Sequence, residues 1–132
     1  INETILDAKA FKGIVPVMRK LSKKNKIAIV TSNSHIATQK VIKEYKLDFL
    51  DFVETDIPLF GKSKAIKRII NKRKIDKKNV FYVGDEVRDI NACKKIGVPI
   101  ISVTWGFNSE KVLKQNTPDC LVRTPEGLLK II

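Results

Sequence analysis

The stretch Val80-Phe81-Tyr82-Val83-Gly84-Asp85 decides how this chain is expected to fold. Its first four residues are apolar, and a short continuous apolar run is typical of a strand covered on both faces of a parallel sheet. Gly84-Asp85 closes the strand, because this pair favours a turn. A helical pattern follows and ends at Gly97, a natural helix C-cap. Strand, turn and helix in this order predict one unit of a parallel α/β sheet.

The same unit recurs on both sides of this stretch. Ile27-Ala28-Ile29-Val30 predicts an earlier buried strand, and Thr31-Ser32-Asn33-Ser34 ends it with several candidates for the N-cap of the next helix. Further strands are predicted near residues 49–54, 99–103 and 120–122. Because strands and amphipathic stretches alternate throughout, the expected fold class is α/β with a parallel sheet.

The composition is that of a single globular domain. The 132 residues are 43% hydrophobic and 30% charged, and no apolar run approaches the ~20 residues that a membrane helix needs. We expect a soluble, cytoplasmic protein, because the first residues lack the basic start and apolar core of a secretory signal. Cys93 and Cys120 have no metal-ligand spacing and are interpreted as small buried hydrophobes.

The net charge is +12, from 26 basic and 14 acidic residues, and the densest basic stretch lies within residues 62–78. Two interpretations are open: a patch for nucleic acid or another acidic surface, or a solvated helix face. We favour the solvated face, because no aromatic residues interleave with the lysines, as single-strand binding requires. Attraction of anionic substrates is a by-product of this charge.

Three polar clusters lie where predicted strands end or the following helix begins. Thr31-Ser32-Asn33 ends the first strand, Lys62 opens the helix after the second, and Asp85 ends the third. Ligands of open α/β sheets bind beyond the carboxyl ends of the strands, so these groups are expected to lie together. Hydroxyl, amide and ammonium donors suit phosphoryl oxygens, and a carboxylate suits Mg²⁺. The combination indicates phosphoryl transfer.

In this order, the clusters resemble the motifs of haloacid-dehalogenase-superfamily phosphatases, in the phosphoglycolate-phosphatase-like branch. The resemblance covers about residues 10–132 and implies a three-layer Rossmann-like core. Residues 27–33, 61–64 and 83–90 resemble the second, third and fourth family motifs, and the stretches 103–107 and 118–119 are also similar. No single motif is specific, but their order and their positions at strand ends are.

The resemblance implies a role for each matching residue at the phosphate. Thr31 would hydrogen-bond the phosphoryl group together with the amides of Ser32 and Asn33. Lys62 would neutralise charge that develops on the phosphoryl oxygens. Lys64 stays an alternative for this role, because the residue between the two lysines is not the proline of many relatives.

The same resemblance implies a magnesium enzyme. Asp85 would ligate Mg²⁺, and Asp89 would order a metal-bound water or Lys62, so that Thr31, Lys62 and Asp85 are the candidate catalytic residues. Family members attack the phosphorus with an Asp carboxylate, form an aspartyl-phosphate, and protonate the leaving group with a second Asp two residues later. The implied substrate is a small phosphorylated metabolite, which the family's cap domain selects.

One family motif has no counterpart in the sequence. An apolar strand followed by Asp-x-Asp is absent, and the acidic residues before Thr31 are Glu3 and Asp7 alone. We expect residues 1–10 to be the end of a cap or a linker, and residues 11–132 to be an incomplete core. A missing N-terminal segment is expected to fill a slot between the first and third predicted strands, because unpaired backbone groups there would cost roughly 1–3 kcal/mol each. The chain alone is predicted to be inactive.

Other functions compete with phosphate-ester hydrolysis by the complete protein. One is a catalytically inactive interaction domain, and another is a nucleic-acid end-processing phosphatase that uses the positive charge. A signalling receiver domain is disfavoured, because its acidic pair precedes threonine and lysine, whereas here the carboxylate comes last. His35 is interpreted as a surface or capping residue, and Trp105 and Phe107 either line the site or pack on the core.

Overall fold

The computed structural model describes the backbone of residues 8–132 and the side chains of residues 13–132. Helices and strands alternate along this part of the chain. The helices are α1 Ala8–Ser22, α2 His35–Glu44, α3 Lys62–Lys72, α4 Val87–Ile96, α5 Glu110–Gln115 and α6 Leu128–Ile131. The strands are β1 Ala28–Val30, β2 Phe52–Glu54, β3 Tyr82–Gly84, β4 Ile100–Val103 and β5 Cys120–Val122. Short 3₁₀ helices cover Lys77–Asn79 and Pro125–Gly127. The predicted α/β class is confirmed.

The strands form two parallel groups. β1 pairs with β2, and β4 lies between β3 and β5. Among residues 8–132, no strand pairs with the second edge of β1 or of β3. A cavity of about 690 Å³ lies beside the amino-terminal ends of these two strands, and its lining includes Ile27 and Ala28 at the start of β1 and Val80 and Phe81, which precede β3. That a further strand fills a slot between β1 and β3 stays a prediction.

Helices cover both faces of the sheet. Adjacent residues of a strand point to opposite faces, so Val83 and Ile101 pack in one buried cluster with α1 and α6. Tyr82 and Ile100 pack in the other cluster, with α3 and α4. Two helical layers around a parallel sheet confirm the expected three-layer core.

Two smaller predictions concern the C-terminal end of α4 and the burial of the two cysteines. Gly97 ends α4 in the left-handed conformation, with φ of 75°, as its sequence position predicts. Cys93 is buried, as interpreted, whereas Cys120 is only half-buried. No helix within residues 8–132 has both the length and the apolar character needed to cross a membrane.

The division predicted after residue 10 falls within α1, which runs from Ala8 to Ser22. Residues 1–7, with Glu3 and Asp7, lie outside the described residues. The assignment of residues 1–10 to a cap end or linker therefore stays a prediction.

Candidate active site

Asp85 lies directly after β3, at the carboxyl edge of the sheet, and is buried. Its Oδ2 accepts a hydrogen bond of 2.7 Å from the backbone N–H of Phe107. Its backbone oxygen accepts one of 3.2 Å from the N–H of Asn108. The Oδ1 of Asn108 in turn accepts a bond of 2.9 Å from the N–H of Val87, the first residue of α4. The loop after β4 is thus fastened to Asp85 and to the start of α4.

The surroundings of Asp85 raise the pKa of its carboxyl above the ordinary value. Burial is the largest cause, because a charged group loses its hydration in the protein interior. The hydrogen bond from the Phe107 N–H lowers this pKa, and the neighbouring carboxylates of Asp89 and Glu86 raise it further. A cation bound at Asp85 would offset the lost hydration, so the position suits a divalent metal ion.

Lys62 and Asp89 form a buried ion pair next to Asp85. The Nζ of Lys62 lies 2.5 Å from Oδ1 of Asp89, and the two side chains are only 7% and 0% exposed. The second oxygen of Asp89 accepts hydrogen bonds from the backbone N–H groups of Asp85, at 3.1 Å, and Glu86, at 3.0 Å. Buried charges need such partners, because an unpaired one is costly. Asp89 therefore joins the first residue of α3 to the turn after β3.

Gly84 leaves the space that the Asp89 carboxylate occupies. A β carbon at Gly84 would lie 2.4 Å from Oδ2 of Asp89, closer than any real contact allows. The sequence pattern identified this glycine only as part of a turn. It gave no sign that the missing side chain makes room for the Asp89 carboxylate. Side-chain packing between residues five apart, across a strand end and a helix start, has no simple periodic signature.

Thr31 follows β1 at the same edge of the sheet and is buried. Its N–H donates to the backbone oxygen of Glu54, at 3.0 Å, and its own backbone oxygen accepts from the N–H of Ile57, at 3.1 Å. The end of β2 and the loop that follows it therefore fix the backbone of Thr31. Its Oγ1 accepts a bond of 3.2 Å from the N–H of Asn33, which leaves the hydroxyl hydrogen to donate elsewhere.

The two residues after Thr31 are exposed, as a ligand-binding turn requires. The N–H of Asn33 is engaged by Thr31 Oγ1. The N–H of Ser32 makes no hydrogen bond to another residue of the described part. Of the two amides predicted to bind phosphate, that of Ser32 is the better placed to donate to a ligand.

The donor set for a metal ion is partial in the described residues. Within residues 13–132, no group of three His, Cys, Asp or Glu side chains could hold a metal ion. Asp89 is committed to Lys62 and two amides, so Asp85 is the carboxylate of this pair that is suited to ligation. A single carboxylate is compatible with Mg²⁺, which often keeps waters and binds substrate phosphate with one or two carboxylates.

The structure separates the two candidate lysines and places the aromatic residues. Lys62 is buried at the first position of α3, whereas Lys64 is exposed, so Lys62 is the lysine in the site.

His35 is exposed at the first position of α2. Trp105 packs against the core cluster, whereas Phe107 is 74% exposed and contributes its backbone N–H to Asp85. Asn108 was not foreseen, since a lone Asn before a helix cap has many ordinary explanations.

Comparison with known proteins places these observations in a family. Residues 1–103 match the model of the family described as haloacid dehalogenase-like hydrolase. The chain is 30% identical over 124 residues to a phosphoglycolate phosphatase of Synechococcus elongatus, covering 92% of this chain and 58% of that protein. It is 27% identical over 130 residues to the pyrophosphatase PpaX of Halalkalibacterium halodurans, covering 92% and 59%. The chain thus spans less than two thirds of the length of either relative.

Solved structures share the fold. A haloacid dehalogenase-like hydrolase, SP0104 from Streptococcus pneumoniae, superposes with a TM-score of 0.79 at 20% identity, over 89% of this chain and 57% of that one. A putative phosphoglycolate phosphatase from Lactobacillus delbrueckii subsp. bulgaricus gives 0.75 at 24% identity, over 89% and 51%. At these identities the likeness concerns the fold alone.

Proposed function

Because the chain belongs to the haloacid dehalogenase-like hydrolase family, in its phosphoglycolate-phosphatase-like branch, we propose that the protein containing it hydrolyses a phosphate monoester. The observation that carries the proposal is the buried group of Lys62, Asp89 and Asp85 at the carboxyl edge of the sheet. An ammonium group and a carboxylate held rigidly at this edge are the charges that a phosphoryl group and its counter-ion need.

Each residue of the group has a distinct task in this proposal. Lys62, oriented by Asp89, neutralises negative charge on the phosphoryl oxygens. Thr31 donates its hydroxyl hydrogen to one of these oxygens, and the N–H of Ser32 donates to another. Since Asp89 holds the lysine in a buried ion pair, little reorganisation is needed when the substrate binds.

Asp85 would hold Mg²⁺ in the proposed enzyme. The bound ion would supply positive charge that draws electron density from the phosphoryl group. The contribution of this chain is to keep the carboxylate fixed, through the N–H of Phe107, and ionised when the cation is present.

The nucleophile is proposed to come from a segment that completes the sheet. The 132 residues contain no Asp-x-Asp sequence, whereas family members attack with the first Asp of such a pair. A strand in the slot between β1 and β3 would end at the same edge as Thr31 and Asp85. The Asp carboxylate at its end would attack the phosphorus and break the bond to the alcohol of the substrate, which the second Asp would protonate as it leaves. Water would then hydrolyse the resulting aspartyl-phosphate, an acyl phosphate, releasing inorganic phosphate and restoring the carboxylate.

The proposed substrate is a small anionic phosphomonoester. The relatives named above are a phosphoglycolate phosphatase and a pyrophosphatase, so 2-phosphoglycolate is the first monoester to assay, and pyrophosphate, a phosphoanhydride, is the comparison compound. The net charge of +12 would favour the approach of such anions.

The test compares Asp85→Asn with Asp48→Asn in the full-length protein. Asp48 is exposed, so its variant controls for the loss of one negative charge. We expect magnesium-dependent phosphate release by the wild type and by Asp48→Asn, and a rate at least about 100-fold lower for Asp85→Asn. Equal rates for the two variants would refute the assignment of Asp85. No phosphate release by any of the three proteins, all folded by circular dichroism, would favour the inactive interaction domain.

A further inference from the structure

The outward surface of α3 and of the turn after it holds much of the excess positive charge. Residues 62–79 contain nine basic residues and one acidic residue, Asp76. Lys62 is buried in the active site, and the other eight basic residues are exposed. We name them the α3 basic ridge: Lys64, Lys67, Arg68, Lys72, Arg73, Lys74, Lys77 and Lys78.

Little of the charge of the ridge is balanced within the protein. Glu54 forms ion pairs with Lys72, at 3.3 Å, and with Arg73, at 3.2 Å, and Arg73 also lies over the ring of Phe52, at 3.9 Å. The ion pairs found in residues 13–132 include none of the other six members. Like charges on neighbouring turns of a helix repel each other. A polyanion laid along the ridge would remove this repulsion.

The four ridge members on α3 share its outward face, because the opposite face of the helix is buried. Ala65, Ile66, Ile69 and Ile70 lie in the core. Positions three and four residues apart are neighbours on a helix, about 5–6 Å apart, so the outward cations form a row. A shallow, open depression of about 620 Å³ on this surface is lined by Lys64, Lys67, Arg68, Asn71 and Lys72. The row and this depression present several cations to a single extended anion.

We propose that the α3 basic ridge binds the phosphate backbone of double-stranded nucleic acid. Six of its eight members are lysines, whose ammonium groups contact phosphates as point charges and read no base sequence. Residues 62–79 contain no aromatic residue. Nearby Phe52 is covered by Arg73, and the exposed Phe60 lies before α3, so the ridge itself offers no row of aromatic rings for stacking unpaired bases. The apolar residues of this stretch are buried or half-buried, whereas a helix lying in a membrane surface needs exposed ones. The phosphate backbone of a duplex is a polyanion that can be bound without stacking aromatic residues and without an exposed apolar face.

The proposal stands apart from the proposed phosphatase activity. None of the eight ridge residues belongs to the buried group of Lys62, Asp89 and Asp85. The interpretation of this stretch as a merely solvated face predicts a different outcome, namely no binding beyond that of any protein with the same net charge.

The experiment measures binding of the full-length protein to a short labelled DNA duplex between about 50 and 200 mM salt. The ridge variant combines Lys64→Gln, Lys67→Gln and Arg68→Gln, which lie on the exposed face and form no ion pair within the described residues. We expect the wild-type affinity to fall steeply with salt. The ridge variant should bind at least about tenfold more weakly at low salt, with a salt dependence reduced by about two to three ions released.

A second variant with the same change in net charge serves as the control. It combines Lys20→Gln, Lys40→Gln and Lys43→Gln, three exposed lysines on α1 and α2, the helices of the opposite layer. We expect its affinity to stay within about threefold of the wild type, since phosphate contacts are local. Equal weakening of both variants, or no duplex binding at low salt, would overturn the proposal. Tighter binding to phosphatidylserine vesicles or to polyglutamate than to the duplex would also overturn it.

Discussion

A hydrogen atom at Gly84 occupies the place where any other residue would have a β carbon, and the Asp89 carboxylate lies directly against it. That carboxylate is also held by Lys62 and by the N–H groups of Asp85 and Glu86. It cannot move without breaking several contacts at once. The size of one residue therefore controls the position of the lysine that is proposed to bind phosphate.

Replacing Gly84 with Ala should both destabilise the protein and disturb the lysine. The new β carbon would meet Oδ2 of Asp89 at 2.4 Å, so either the carboxylate or β3 must shift. We expect a loss of about 1–3 kcal/mol in the free energy of unfolding, as for other overpacked cores, measured by urea denaturation.

Gly13→Ala is the matched control. A β carbon there would meet only the Cγ of Pro125, at 3.4 Å, which is ordinary contact. Gly13 lies inside α1, and Ala is the better helix former by up to about 1 kcal/mol, so this variant should be neutral or stabilising. Similar destabilisation by both substitutions would contradict the role given to Gly84.

Asp85 gives a prediction about pH. Its pKa is raised in the folded state, chiefly by burial, so the folded protein holds this proton at pH values where the unfolded chain has released it. The stability associated with Asp85 is present below the unfolded pKa and is lost as the pH rises through the folded value. At neutral pH without divalent cations, Asp85→Asn should therefore have a higher Tm than the wild type.

In the presence of Mg²⁺, the wild type should instead have a higher Tm than Asp85→Asn. An ion that binds only the folded wild type stabilises it in proportion to the logarithm of its concentration, whereas Asp85→Asn lacks the ligating carboxylate. Thermal unfolding of both proteins, in EDTA and in excess Mg²⁺, measures the two effects. A wild type that is more stable than the variant in EDTA would contradict the pKa argument, and equal Mg²⁺ responses would contradict the metal site.

At the scale of elements, the loop between β4 and α5 holds Asp85 in place, although it lies far from Asp85 in the sequence. Asn108 accepts from the N–H of Val87 and donates its own N–H to Asp85, and the neighbouring N–H of Phe107 binds the Asp85 carboxylate. The loop therefore links the start of α4 with the proposed metal ligand. The Asn108 side chain contributes only one of these bonds, but it is the bond that fixes the loop to α4.

Asn108→Ala should loosen this link. Removal of Oδ1 leaves the N–H of Val87 without its acceptor, at a cost of about 1–3 kcal/mol in unfolding free energy. We also expect a several-fold weaker affinity for Mg²⁺, measured by calorimetry, because Asp85 loses part of its support. Asn71→Ala, at an exposed position on α3, is the control and should change neither quantity. Unchanged metal affinity in Asn108→Ala would restrict Asn108 to a role in stability.

The elements could be predicted from the sequence because their signals are local. The apolar run before Gly84 and that of residues 27–30 became β3 and β1, since a buried parallel strand needs only a short continuous hydrophobic segment. Gly97 marked a helix end for the same local reason. The contact of Asn108 with Val87 spans 21 residues, so neither spacing nor propensity encodes it. Contacts within the site therefore required coordinates, whereas the edge on which the site lies did not.

At the scale of the whole molecule, the two edges of the sheet differ. The large exposed apolar side chains of the described part follow β1, precede α3 or follow β4: Ile36, Leu59, Phe60 and Phe107. All four therefore lie on the carboxyl side of the sheet, which is also the side of the candidate site. We propose that a cap domain, as the family resemblance implies, covers this surface and excludes bulk water from the site. At the opposite, amino-terminal edge of the sheet, the cavity lies beside the starts of β1 and β3.

The last prediction concerns the chain of residues 1–132 by itself. In the proposed function, Thr31, Lys62 and Asp85 bind the phosphoryl group and its counter-ion, and none of them is the attacking carboxylate. The slot between β1 and β3 is the position from which a parallel strand would present one. We expect this chain, purified and folded, to release no p-nitrophenol from p-nitrophenyl phosphate above background, while the full-length protein does so in the presence of Mg²⁺. Turnover by the 132-residue chain at a rate near that of the full-length protein would show that the nucleophile lies within these residues.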